Sequence, residues 1–178
     1  MIATENGGWE SPKNYGQQLQ NISDVKKVAV SWLHAAVSGN NGTIVVVGAG
    51  DFCDAGNVEN WRNIIDIDVY GSYYTCIQTV GLTSEGKIFA TAKELQKECQ
   101  QWIDIISVSC GNDNIVALDR NGKVFACGRN DLGQCDVAGW PEMLCVKTDF
   151  FRTVGIDKDG FIWISKIGRT SYNFFDTK

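Results

Sequence analysis

Four turn dipeptides divide the chain at near-regular intervals: Asn41-Gly42, Glu85-Gly86, Asn121-Gly122 and Asp159-Gly160. Their glycines are 44, 36 and 38 residues apart by subtraction. Each turn is preceded by a short apolar run and followed by a β-rich one, such as Ile44-Val45-Val46-Val47 or Phe161-Ile162-Trp163-Ile164. Such a turn between two apolar runs signals a hairpin, because glycine accepts the positive φ of the tight turn. Hairpins recurring at this spacing indicate a repeat architecture. One unit of that size cannot bury both of its faces alone and must stack on its neighbours.

A second anchor fixes the register independently. Trp61, Trp102 and Trp140 each open a segment of one pattern, with Ile64, Ile67, Ile105, Val108, Met143 and Val146 at matching positions. Ile22 stands in the same frame ahead of Val25 and Val28. From Ile22 to Gly42, Trp102 to Gly122 and Trp140 to Gly160 the separation is 20 residues, whereas Trp61 to Gly86 is 25. The difference is an insertion around Tyr70 to Cys76. The units are therefore 22–60, 61–101, 102–139 and 140–178, after a half-unit over 1–21. The expected fold is all-β: one domain over 1–178, a β-propeller-like array of about four antiparallel blades of three to four strands, forming a partial or small propeller. Ala92 to Gln101 is rich in helix formers and is predicted to give a turn or two of helix.

Composition narrows the function. The 178 residues are 44% hydrophobic, enough for one domain with a real core. A net charge of -5 repels a phosphate backbone, so nucleic acid is not the expected partner. No run approaches the ~18 apolar residues of a membrane span. Met1 to Gly8 has neither a basic region nor an apolar run, so no secretion signal is expected there. The seven Cys are an odd number and form no CxxC pair, which reads as free thiols in a reducing, cytoplasmic compartment.

Several motifs imitate chemistry. Gly48-Ala49-Gly50 after an apolar strand resembles a dinucleotide-binding start, but Cys53 stands where a third glycine belongs and no helical periodicity follows. His34 is the sole His, with no partner spaced for catalysis or metal binding; its repeat position makes it a strand residue bonded to backbone or to a neighbouring blade. Asp157-Lys158-Asp159-Gly160 lacks the remaining ligands of a calcium loop and reads as a hairpin turn. No cofactor or metal is expected. The inserted Tyr70, Tyr73 and Tyr74 are read as an aromatic rim loop that contacts a partner. Tyr172, Phe174 and Phe175 would cap an open blade edge or anchor a partner.

Gly128-Arg129-Asn130-Asp131-Leu132-Gly133-Gln134 resembles the Gly-rich linker of bacterial members of the regulator-of-chromosome-condensation repeat family. His34, Gln78, Asn114 and Arg152 each precede a turn glycine by eight residues, and His34 stands where that family usually has its repeat His. The resemblance covers roughly residues 14 to 165. It implies a propeller acting through its loops, as in the family's nucleotide-exchange factors and β-lactamase-inhibiting proteins. Family propellers usually close with about seven blades, more than this chain supplies. The second unit lacks the Gly-Gln linker.

The expected function is a non-enzymatic protein–protein interaction module that binds through rim loops. The alternatives are a nucleotide-binding enzyme using Gly48 to Gly50, and a structural fragment that completes a larger propeller. Open blade edges also offer a route to self-association. Alkylation of the unfolded, unreduced protein should add seven adducts by intact mass; fewer would reveal a disulfide.

Overall fold

The computed structural model describes residues 2–3, 9–10, 24–48, 56–72, 75–166 and 168–173. A small sheet pairs β1 (Ile2–Ala3) with β2 (Trp9–Glu10). Four antiparallel meanders follow. Blade 1 is β3 (Val25–Val30), β4 (Ala35–Gly39) and β5 (Ile44–Val47). Blade 2 is β6 (Ile64–Ser72), β7 (Thr75–Thr83) and β8 (Ile88–Ala90). Blade 3 is β9 (Ile105–Cys110), β10 (Asn114–Asp119) and β11 (Val124–Gly128). Blade 4 has four strands: β12 (Met143–Thr148), β13 (Thr153–Asp157), β14 (Phe161–Ile164) and β15 (Gly168–Asn173). First strands of successive blades run against one another: β3 with β6, β6 with β9, β9 with β12. This convergence of first strands is propeller geometry.

The four turn glycines sit at hairpin tips with φ between +75° and +86°. Two of the tips also bond the next blade. Gly42 O accepts a bond from Ile64 N (3.1 Å), and Gly122 O one from Met143 N (2.8 Å). The turns are stiffened by carboxylates. Asp119 Oδ1 accepts from the N–H groups of Asn121 and Lys123, and Asp157 Oδ1 from those of Asp159 and Phe161.

A bulge recurs near the start of every first strand, where the pairing register shifts. It absorbs one residue, so positions three apart in sequence face the same way. Ile64 and Ile67 thereby both enter the junction with Ala29, Ala36 and Ile44 of blade 1. Ile105 and Val108 pack likewise on Val80, Leu82 and Ile88, and Met143 and Val146 on Val116 and Leu118. The core is thus a series of blade–blade junctions.

The repeated Trp has a packing role. Trp61 stacks on Phe89 (centroids 5.5 Å), Trp102 meets Phe125 (5.5 Å) and Trp140 meets Trp163 (6.2 Å). Gly81 leaves room for the Trp61 ring, since a Cβ there would lie 2.9 Å from it.

The predicted helix forms as α1 (Lys93–Cys99) and buries Leu95 and Cys99. Its Gln96 takes the place of a fourth strand on blade 2. The amide oxygen accepts from Ala90 N (2.7 Å) and the amide nitrogen donates to Ile88 O (3.1 Å). One expectation is corrected. The insertion at Tyr70 is not simply a loop, because it lengthens β6 and β7 to nine residues each.

Gly122→Val should lower stability by about 2 kcal/mol or more, because it forces a β-branched residue to φ +81° with its Cβ 3.0 Å from Met143 N. Urea unfolding measures the loss.

Candidate functional site

The repeat-His position is a cross-blade fastener. From blade 1, His34 Nε2 bonds Thr79 Oγ1 of blade 2 (3.2 Å), while Nδ1 bonds Ser31 Oγ (2.8 Å). From blade 2, Gln78 Nε2 donates to the Gly111 and Asn114 carbonyls of blade 3 (2.7 and 3.2 Å). From blade 3, Asn114 Nδ2 donates to Thr148 Oγ1 of blade 4 (2.9 Å). Burial lowers the His34 imidazole to about 4, only partly offset by the Gln78 backbone, so it is neutral at pH 7. Near the first strands, Asp68 Oδ2 accepts from Ser109 Oγ (2.8 Å) and Cys110 N (3.1 Å), and Lys27 pairs with Asp66.

The Gly-Gln linker is a bracket between blades 3 and 4. Asn130 Oδ1 accepts from Cys135 N (2.8 Å), and Gly133 turns at φ +80°. Gln134 Nε2 then donates to Phe150 O (3.2 Å), and Thr153 Oγ1 donates to Gln134 O (2.7 Å). Glu98 of α1 accepts from Gly128 N (3.1 Å).

These contacts set all four blades in one sense and define two rims. One carries the glycine turns. Its tips are polar, with Asn40, Glu85, Lys87, Arg120, Lys158 and Asp159 exposed. The other carries the β3–β4, β6–β7, β9–β10 and β12–β13 connections. There Trp32 is 71% exposed and Phe151 58%. Phe151 contacts Phe150 (4.6 Å), whose ring lies 5.5 Å from the Arg129 guanidinium.

Tyr70 lies in β6, half-buried, and packs on the junction of blades 2 and 3. Burial raises its phenol pKa above the ordinary value, as do the nearby Asp149 and Asp113 carboxylates. Sequence reading made it an exposed loop residue; the extra strand length instead lays its ring on the core. Tyr73, Tyr74, Phe174 and Phe175 lie outside the described residues, as does the side chain of Tyr172. The backbone of Tyr172 belongs to β15, which adds a fourth strand to blade 4.

The chemical imitations resolve as fold elements. Gly48 (φ +96°) ends β5 at the repeat position of Gly128 (φ +93°). β5 is the last strand of an antiparallel sheet, without the parallel crossover a dinucleotide turn starts from. Residues 49–55 lie outside the description. Cys99, Cys110, Cys127, Cys135 and Cys145 are free thiols. Burial pushes Cys99 and Cys135 up to about 11, and Cys110 and Cys127 upward as well, which suppresses thiolate chemistry. Among the described residues no group of His, Cys, Asp and Glu could hold a metal, and no helix is long and apolar enough to cross a membrane.

Four stacked antiparallel blades with recurrent cross-blade bonds define a repeat β-propeller array. The family model of the regulator of chromosome condensation (RCC1) repeat matches residues 105–134, the third blade and its linker. An RCC1 repeat-containing protein of Dictyostelium discoideum is 23% identical over 85% of this chain. The chain spans 37% of that relative's length. Among solved structures, Prp20p of Saccharomyces cerevisiae superposes with a TM-score of 0.64 at 11% identity, over 88% of this chain and 47% of that one. The ectodomain of the Arabidopsis thaliana receptor kinase ACR4 gives 0.61 at 8% identity, over 84% and 53%. Yeast RCC1 (Prp20) has also been solved with Kap60 bound, and Prp20p studied for binding to Gsp1p and histones.

His34 predicts a pH dependence. Its folded value lies below the unfolded ~6.5, so the unfolded chain takes up the proton first as pH falls. Stability is full above about pH 6.5, falls toward pH 4 and levels off below it, a loss of about 3 kcal/mol at most from this group. His34→Gln, the residue blade 2 uses at this position, should flatten that slope in urea titrations at pH 7 and pH 5.

Proposed function

We propose that the chain is a protein-interaction module that binds its partner through the aromatic rim. The observation that carries this reading is the asymmetry between rims. The glycine-turn tips are polar and the large apolar side chains exposed beside them, Ile103 and Leu144, are aliphatic, whereas the opposite rim exposes the rings of Trp32 and Phe151. Large exposed rings are favoured at protein interfaces, where they desolvate at little cost in conformational entropy. Tyr73 and Tyr74, outside the described residues, fall in sequence between β6 and β7 and are the other aromatic candidates for the contact. The protein complexes of yeast RCC1 support a protein as the class of partner. Tyr70 is half-buried in β6 and packs on the junction, so it is not the leading contact residue. The reading is non-enzymatic: burial holds the Cys99, Cys110, Cys127 and Cys135 thiols protonated, and the His is committed to a blade junction.

Crosslinking in the native host, read by mass spectrometry, tests this. The double variant Tyr73→Ala with Tyr74→Ala, and separately Trp32→Ala, should lose the proteins captured by wild type; truncated aromatic anchors commonly cost ~2 kcal/mol or more. Lys87→Ala on the polar rim should keep them. Unchanged capture by the aromatic-rim variants, with loss in Lys87→Ala, would overturn the assignment.

A further inference from the structure

Both ends of the array expose surfaces that the chain elsewhere buries. On blade 1, Val25, Val28 and Val30 are 53%, 54% and 72% exposed. Their repeat equivalents in blade 2, Ile64, Ile67 and Val69, are 1%, 1% and 6% exposed beneath blade 1. In blade 3, Ile105, Val108 and Cys110 are 2%, 0% and 3% exposed. At the other end, Val154 of blade 4 is 40% exposed, where Ala36, Val80 and Val116 at the same repeat position are all at 0%.

The polar fastener is open in the same place. Arg152 occupies the position from which His34, Gln78 and Asn114 each bond the next blade. It is exposed, and it lines a cleft of about 380 Å³ with Leu132, Phe151 and Lys166. The two ends are therefore the complementary halves of one kind of junction, which the chain makes three times internally.

We propose that these faces are covered by a second copy of this chain, docked head to tail, with blade 4 of each copy on blade 1 of the other. A second copy presents to each face the partner it has inside the chain: Val25, Val28 and Val30 meet Val154, as Ile64, Ile67 and Val69 meet Ala36. Register places the Arg152 guanidinium against the Ser31 and His34 carbonyls, the counterparts of the Gly111 and Asn114 carbonyls that receive Gln78. Two copies bring eight blades, within the range over which propellers close. The contact is heterologous and closes as a two-membered ring.

Sedimentation velocity of the 178-residue chain over about 1 to 100 μM tests the proposal. Wild type should sediment as a dimer. Val28→Glu and Val154→Glu each place a charge in both junctions of the pair and should weaken association at least tenfold. Both sites are exposed in the single copy, so far-UV circular dichroism should not change. Mixing the two variants should restore a dimer, because the pair then holds one junction with both faces intact; this also shows that each variant is folded. Tyr73→Ala with Tyr74→Ala should leave the dimer unaffected, which separates this proposal from the rim reading. A monomeric wild type, or variants that dimerise as wild type does, would overturn it.

Discussion

The fold depends on the burial of one blade's face by the next. A three-stranded antiparallel sheet has two faces, and in this chain both are apolar. Ile64, Ile67 and Val69 point back to blade 1, while Val80 and Leu82 point forward to blade 3. At roughly 25 cal/mol per Å² of buried apolar surface, no blade of this size offsets its own ordering entropy. Stability is therefore shared between neighbours, as in other quasi-one-dimensional arrays. The repeated features serve that junction. The bulge aligns two first-strand residues on one face, the turn carbonyl bonds the next strand's start, and the fastener ties the neighbouring loop.

The fastener also shows how a repeat tolerates change. His34, Gln78 and Asn114 differ in size and chemistry, yet each bonds the next blade from the same repeat position. What is kept is the direction of the bond, not the residue. Similarly, blade 2 closes its outer edge with the Gln96 amide from α1, whereas blade 4 uses β15. Both satisfy backbone groups that would otherwise be left open at the edge of the sheet.

The junctions commit the strands to packing, and the two rims differ in what their connections carry. Turn tips on one rim are held by carboxylates and by the following blade, so they are short and polar. The connections on the other rim carry Trp32, Phe150 and Phe151 and the lengthened β6–β7 hairpin.

The sequence by itself determined the period, the hairpin tips, the Trp anchors and the short helix, because each rests on local chemistry: positive φ at glycine, alternation in strands, helix propensity. It did not reveal that the insertion around Tyr70 extends two strands, since β-bulge register depends on the partner strand. Nor did it reveal Gln96 as an edge cap or Asp68 as a cross-blade acceptor: Gln96 bonds residues 6 and 8 positions away, and Asp68 bonds Ser109, 41 positions away. The open ends show the limit most clearly. Val25, Val28 and Val30 read like Ile64, Ile67 and Val69 in sequence, yet one set is exposed and the other buried. Only the tertiary structure decided this, because burial of a blade face is a property of the neighbour that covers it.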